Sequence, residues 1–464
     1  MGARERKKLV ERLIKAVNIL MMALVFALVW RGLYDEVLRF EVTMQTKVLL
    51  LFVCLSVYVI AGRVYEAFLL GVDRVRQMVY SQMLACVVTD CISFIILWMV
   101  LGEFPSLLIL LLLLPLQLFV SIVWSCTANL WYFRHFPPRR ALVITRNPEE
   151  ADRLEVYQGF TKKFNIVGVM TTEKILQMPD AALEGIEAVF LLRTENAWAV
   201  MQRCALHGIR IYRVPLISEI IASCSKTVTM FNTPMLRMDG YNPGPFYVAM
   251  KRLMDIFLVG IVMPVVAPVM LAVAIAIKLD DGGPVFYRQE RLTQGGRHFN
   301  ILKFRSMRVN AESDGVARMS TGVNDDRITR VGHIIRALRL DELPQLLNIL
   351  KGDMSIVGPR PERPELAEEY TRSIPEFRLR LLAKAGLTGY AQVYGKYNTT
   401  PLDKLRMDLM YILRPSIIED LRIMFATVKI LFMAESTEGI AEGQTNAMVD
   451  SPKQDGDGKT VNGI

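Results

Sequence analysis

The chain has 464 residues, 52% of them hydrophobic and 22% charged, with a formal net charge of +9 and a positive mean hydropathy. It is too long for one ordinary domain and too apolar for a chain that never meets lipid, so two or three domains, one of them lipidic, is the starting frame. The charge suits anionic lipid or phosphorylated substrates. No basic tract is interleaved with aromatics, which argues against nucleic acid, and six cysteines without CxxC or Cys/His spacing argue against zinc or a disulfide framework.

Four apolar stretches, about 13–30, 42–62, 79–102 and 106–131, match ~30 Å of hydrocarbon and predict a four-helix transmembrane bundle over residues 1–132. GARERKK precedes the first stretch as a signal-peptide n-region would, but no small-residue cleavage site follows. Basic residues before the first span (Arg4, Arg6, Lys7, Lys8), between the second and third (Arg63, Arg74, Arg76) and after the fourth (Arg134, Arg139, Arg140) put both ends of the bundle in the cytoplasm. Asp90 lies within the third span. An ionisable group there marks either a functional site or an aspartate hydrogen-bonded between helices, and with no basic partner at its depth the second is expected.

From Pro137 the pattern changes to short β-type runs, ALVIT, FNIVGVM, EAVFLLR and IRIYRVP, separated by segments of helical character. This alternation predicts a Rossmann-like, parallel α/β domain, which with a linker occupies 133–245. Its first strand leads into RNPEEAD, with neither GxGxxG nor a Walker A sequence, so a structural or regulatory role is expected over dinucleotide binding. Residues 226–245 read as a linker with few periodic features.

A fifth apolar run, about 256–277, carries Pro264 and Pro268 four residues apart. Each proline lacks an amide hydrogen and clashes with the preceding turn, so a break or sharp kink is expected. Lys251 and Arg252 before the run and Lys278, Arg288, Arg291 and Arg297 after it give both flanks cytoplasmic character. A helix over about 253–279 that enters one leaflet and turns back satisfies both signals; a kinked full span is the alternative.

Residues 246–433 then form a mixed α/β segment, ending in a helix, IEDLRIMFATVKILFM, that suits either the bilayer surface or the domain core. A tail, 434–464, reads as disordered. Within the segment stands LRLDELPQLLNILKGDMSIVGPRPERPE. Leu343, Leu346, Leu347 and Leu350 make a helical stripe, Pro344 is tolerated in the first turn and Gly352 stops the helix, so Asp341 and Glu342 fall at its start. An ionised Asp there can attack phosphorus and an adjacent Glu can hold a divalent cation, although such a pair also serves as an ordinary cap. Lys303 and Arg305 in KFRSMR share one face if the strand runs through both, and two cations facing one way can grip a diphosphate. Arg336 and Arg339 precede the pair on an apolar-periodic helix. Arg360, fixed between Pro359 and Pro361, presents a planar fork suited to phosphate. Gly386, Gly389 and Gly395 allow a close backbone approach to a ligand or simply make turns. The four histidines, His135, His207, His298 and His333, show no ligand spacing, and acyl transfer is not favoured.

From KRLMDIF to YIL, the blocks PVFYRQER, ILKFRSM, LDELPQLLNILKGDMS, VGPRP and GLTGYAQV, following a proline-bearing membrane helix, resemble the polyprenyl-phosphate hexose-1-phosphate transferases, the bacterial sugar transferases. The four N-terminal spans and the middle α/β domain resemble the family's long members. The resemblance implies a multi-pass protein of the bacterial inner membrane with its catalytic domain on the cytoplasmic face, compatible with a homodimer. It implies transfer of hexose 1-phosphate, glucose or galactose, from a UDP-hexose to undecaprenyl phosphate with Mg2+, releasing UMP through a covalent phosphosugar-aspartate and initiating capsule, exopolysaccharide or O-antigen synthesis. It maps the nucleophile onto Asp341, metal binding onto Glu342 and a phosphate or nucleotide contact onto Arg360. Family members break the re-entrant helix at Ser-Pro, where this chain has Ala267-Pro268. A catalytically silent UDP-sugar-binding membrane scaffold is the alternative function.

Overall fold

A computed structural model describes residues 3–29, 44–70, 75–101, 107–146, 163–192, 197–238, 240–308, 327–395 and 399–431; the expected disordered tail lies outside them. The chain divides into two compact units, one up to Val214 and one from Pro215.

The first unit opens with α1 (Ala3–Val29), α2 (Met44–Val64), α3 (Val75–Leu101) and α4 (Leu107–His135), each long and apolar enough to cross a membrane. Their lipid-type side chains, such as Leu20, Phe52, Ile95 and Phe119, stay on the outside, while Met22, Phe26, Tyr58, Met78 and Trp124 pack within. Hydrocarbon gives apolar helices little hydrophobic reason to prefer one another, so close packing and interhelical hydrogen bonds must hold them together. One side chain from each helix joins a single layer: Tyr58 Oη donates to Asn18 Oδ1 (2.8 Å), Asn18 Nδ2 to Gln82 Oε1 (3.3 Å) and Gln82 Nε2 to Ser125 Oγ (3.3 Å). Two turns along α3, Asp90 Oδ1 accepts from Gln117 Nε2 on α4 at 3.0 Å, so the buried aspartate is the interhelical acceptor that its lack of a basic partner implied.

The sheet of this unit contains β1 (Arg139–Ile144), β2 (Phe164–Met170), β3 (Ala188–Leu191) and β4 (Arg210–Arg213), ordered β2-β1-β3-β4 and wholly parallel. All four β-type runs of the sequence form these strands. α5 (Thr172–Gln177) and α6 (Ala197–Leu206) cover one face through Ile175, Val200 and Cys204, and Phe164, Phe190 and Tyr212 pack on the other.

The second unit begins with α7 (Ile217–Ser223) and a hairpin of β5 (Lys226–Met230) and β6 (Thr233–Arg237), so the stretch expected to be a featureless linker is a strand pair. Its turn has positive φ at both Phe231 (52°) and Asn232 (61°). That is the backbone hairpin turns need, built here without the glycine that would have announced it.

Next comes α8 (Pro245–Asp281), one helix that runs through Pro264 and Pro268, so of the break or sharp kink expected there the break does not occur. The two prolines are four residues apart and so share a face, and each removes one hydrogen bond while the rest of the helical ladder continues. Buried positions recur along the whole length of α8: Asp255 and Val259 in its first half, Val273 and Ile277 in its second, all packed on the rest of this unit. The opposite face, including Leu253, Phe257, Ile261, Val265, Leu271 and Leu279, is exposed and apolar.

The base of α8 is tied down by charge. Lys251 Nζ binds the buried Asp420 at 2.8 Å, Tyr247 Oη donates to the same carboxylate at 3.0 Å, and Asp255 accepts from Ser355 Oγ (2.7 Å) and Ile356 N (3.0 Å). After α8 follow the antiparallel β7 (Phe286–Leu292) and β8 (His298–Phe304), α9 (Arg330–Ala337), α10 (Gln345–Lys351), β9 (Ser355–Val357), α11 (Pro364–Ser373), β10 (Gly386–Thr388), α12 (Tyr390–Tyr394), α13 (Pro401–Ile412) and α14 (Ile417–Leu431). Of the two roles expected of α14, packing on the domain core is the one observed: Asp420 and Ile423 are buried in the domain, while Ile418, Leu421, Phe425 and Val428 form an exposed apolar stripe.

Candidate active site

Asp341 and Glu342 lie in a 3-10 turn, Leu340–Glu342, between α9 and α10. The chain enters this turn through Arg339 in the left-handed region (φ 54°, ψ 24°), a conformation that costs a non-glycine residue about 1–2 kcal/mol. α10 then stops at Gly352 (φ 95°), as the sequence indicated. The predicted leucine stripe is shifted: Leu346 is buried, but Leu347 and Leu350 are exposed, and the inner face is completed by Gln345, Asn348 and Ile349. Asn348 explains the shift, because its side chain joins α10 to β8, accepting from Leu302 N and donating to Asn300 O at 2.9 Å each. With only seven residues, α10 has little dipole to offer the carboxylates. Discrete cations surround them instead.

Glu342 Oε1 accepts from Lys303 Nζ at 3.2 Å and from Arg360 Nη2 at 2.9 Å. Lys303 reaches it from β8 and Arg360 from the Pro-Arg-Pro turn, so three of the predicted residues converge. Burial would raise the Glu342 carboxyl, but Arg360 and Lys303 together outweigh it and hold the group well below the usual carboxylate range. Asp341 behaves oppositely: burial and then the Glu342 charge push its carboxyl up, against the pull of Lys303 and Arg336. Arg336, on the last turn of α9, is thus close enough to act on Asp341. Among the described residues Asp341 makes no ion pair, whereas Glu342 makes two. Among the described residues the pair is thus divided into one carboxylate that organises cations and one without an ion pair.

Arg305 does not join this group. β8 ends at Phe304, so the period-two argument stops one residue short, and the Arg305 guanidinium turns to Asp281 at the end of α8. α9 comes close to the strand exit through Gly332, where a Cβ would lie 2.0 Å from Ser306 O. Gly386 serves a similar purpose: its Cβ would lie 2.1 Å from Gly358 N, so the glycine admits the chain that leaves β9. Pro359 and Pro361 are both buried, with their carbonyls accepting from Gly386 N (2.9 Å) and Arg291 Nη1 (3.2 Å).

Sequence reasoning missed Arg380, Glu362 and Asp408, which lie behind the Pro-Arg-Pro turn. Arg380 donates to Asp408 (2.7 Å), Glu362 (3.3 Å) and the Arg360 carbonyl (3.0 Å). A charge balance between residues 380 and 408 leaves no local period to find.

Among the described residues, no group of three His, Cys, Asp or Glu side chains is placed to hold a metal ion. Asp341 and Glu342 alone fit the kind of divalent cation that takes one or two protein carboxylates and completes its shell with water and substrate phosphate; they do not fit one held by protein ligands alone.

Residues 246–434 match the bacterial sugar transferase family model. The chain is 38% identical over 264 residues to a UDP-N-acetylgalactosamine-undecaprenyl-phosphate N-acetylgalactosaminephosphotransferase of Aeromonas hydrophila, covering 55% of this chain and 61% of that protein. It is 42% identical over 191 residues to a UDP-glucose:undecaprenyl-phosphate glucose-1-phosphate transferase of Caulobacter vibrioides, covering 40% and 71%. It is 40% identical over 199 residues to an exopolysaccharide production protein of Rhizobium leguminosarum, covering 41% and 96%. The chain belongs to the bacterial sugar transferase family.

Proposed function

We propose that this protein transfers hexose 1-phosphate, with glucose or galactose as the sugar, from a UDP-hexose to undecaprenyl phosphate and releases UMP, initiating a capsule, exopolysaccharide or O-antigen. The observation that carries the reading is the division of Asp341 from Glu342: a carboxylate with no ion pair among the described residues beside a carboxylate that holds Lys303 and Arg360. In the first step an Asp341 oxygen attacks the phosphorus bearing the sugar. The bond from that phosphorus to the bridging oxygen breaks, and the electron pair leaves on UMP. In the second step an oxygen of the lipid phosphate attacks the same phosphorus, the bond to Asp341 breaks, and the free carboxylate returns. Lys303, Arg336 and Arg360 bind the diphosphate and face the charge that builds on the leaving phosphate. A Mg2+ ion brought on the diphosphate would be held by Glu342, with Asp341 beside it, and would supply charge neutralisation.

Packing of α8 supports a helix that enters and leaves the membrane on one face. Both of its halves pack on the unit that carries Asp341, which a straight span leading away from that unit would not allow. We place that unit on the cytoplasmic side of the inner membrane, where a soluble UDP-sugar and a lipid phosphate headgroup can meet. Cysteines introduced as Phe246→Cys and Leu279→Cys into a cysteine-free background are expected to react with an impermeant maleimide from the cytoplasmic side only. Reaction of Leu279→Cys from the opposite side would mean a full span.

The reaction is tested with purified protein in lipid nanodiscs, UDP-glucose or UDP-galactose, Mg2+ and undecaprenyl phosphate. Multiple-turnover UMP release with acceptor is expected, together with a stoichiometric burst without it. Binding of UDP-hexose without UMP release would identify a silent scaffold.

A further inference from the structure

We infer that Arg380, charge-balanced by Asp408, is a positioning residue that holds the Pro-Arg-Pro turn and so directs the Arg360 guanidinium onto Glu342. The inference rests on the reading of Arg360 as a substrate-phosphate contact. Pro359 and Pro361 carry no N–H, so the turn has little means of closing on itself by hydrogen bonds. Its four successive carbonyls are instead held from outside: Pro359 O by Gly386 N (2.9 Å), Arg360 O by Arg380 Nη2 (3.0 Å), Pro361 O by Arg291 Nη1 (3.2 Å) and Glu362 O by Leu292 N (3.1 Å). Two of these donors come from strands, and the other two are arginine side chains.

Arg380 is the more committed of the two. Its side chain is 5% exposed, Nε binds Asp408 Oδ2 at 2.7 Å, Nη1 binds Glu362 Oε1 at 3.3 Å and Nη2 takes the Arg360 carbonyl. One planar fork thus fixes the backbone of residue 360 and the side chain of residue 362 against α13, where Asp408 is 2% exposed. Well-packed apolar residues of the same volume could supply equal stability at such a site. They could not take hold of a carbonyl. Lysine, a point charge on a flexible stem, could not hold three acceptors in one plane.

The experiment compares Arg360→Gln, Arg380→Lys and the double variant Arg380→Gln/Asp408→Asn in nanodiscs, reading kcat, the KM for the UDP-hexose and thermal midpoint. The double variant removes Arg380 and Asp408 together, so neither is left as an uncompensated buried charge, while the fork is dissolved. It is expected to melt near the parent and to lose kcat/KM on the order of 100-fold, as displacing a substrate-positioning group by about 1 Å does. Its changes in kcat and KM should run in the same directions as those of Arg360→Gln. Parent values of both constants would overturn the inference, as would a fall in kcat matching a loss of folded protein at unchanged KM. Should the double variant not fold, Arg380→Lys is read by the same criteria. An impaired Arg360→Gln beside an unaffected Arg380 pair would sink the positioning role alone, whereas an unaffected Arg360→Gln would remove the substrate contact itself.

Discussion

Asp341→Asn is expected to remove transfer, lowering kcat on the order of 10⁴- to 10⁶-fold as loss of a covalent nucleophile does, and at neutral pH to raise the thermal midpoint of the protein. The two effects have one cause. Asparagine keeps the shape of the side chain but cannot form the phosphosugar bond, so UMP release disappears, including the burst without acceptor. Stability moves the other way because burial and the Glu342 charge raise the Asp341 carboxyl above its ordinary 3.8. Between that value and the folded midpoint the native state holds a proton that the unfolded chain has already lost. Stability therefore falls as pH rises through this window, and above it the full cost of the ionised carboxylate is present. Asparagine carries no such cost. Its gain in thermal midpoint should shrink as pH falls through the folded midpoint and vanish below the ordinary aspartate range. The parent's activity should follow the ionised carboxylate, with an acid limb above the range of an exposed aspartate. A variant that melts earlier than the parent at neutral pH, or retains UMP release, would contradict the assignment.

The residues involved show why some of this was legible in the sequence and some was not. Membrane helices declare themselves by length and composition, and the strands β1 to β4 by apolar runs bounded by polar ones, both local properties. The Asp-Glu pair and Pro-Arg-Pro stood out because unusual residues fall close together. Strand parity put Lys303 and Arg305 on one face, but Lys303 reaches Glu342 while Arg305 turns to Asp281, because nothing in KFRSMR says that the strand ends at Phe304. The continuity of α8 through two prolines depends on the whole helical ladder, which single-residue rules do not weigh. The hairpin at residues 226–237 turns on Phe231 and Asn232 rather than on glycine. Least legible were the charges that meet across long separations, Lys251 with Asp420 and Arg380 with Asp408: each half looks like a surface residue until the fold removes both from water.

Glu342→Ala is expected to cost roughly 3 kcal/mol of stability, the low end for breaking a buried ion pair, and to suppress transfer as well. The low end applies because the Glu342 and Lys303 side chains are 18% and 21% exposed but Arg360 is 47% exposed and can turn to water. Lys303 cannot do so as easily. Burial already lowers its ammonium, and the Glu342 charge is the main influence keeping it protonated. With the carboxylate gone, Lys303 sheds its proton or leaves its place, and the cation proposed to meet the diphosphate is lost either way. Glu342→Gln separates the two consequences. Its amide oxygen still accepts from Lys303 and Arg360, so much of the stability should return, while activity should not, because the negative charge that gathers both cations is absent. The parent's advantage over Glu342→Gln should be present at neutral pH and fade as pH falls through the depressed Glu342 midpoint, since that advantage belongs to the ionised carboxylate. Chemical denaturation of the three proteins at neutral and acidic pH, alongside UMP release, measures all of this. Full activity in Glu342→Gln would mean that the carboxylate only supports its neighbours and takes no part in handling the phosphates.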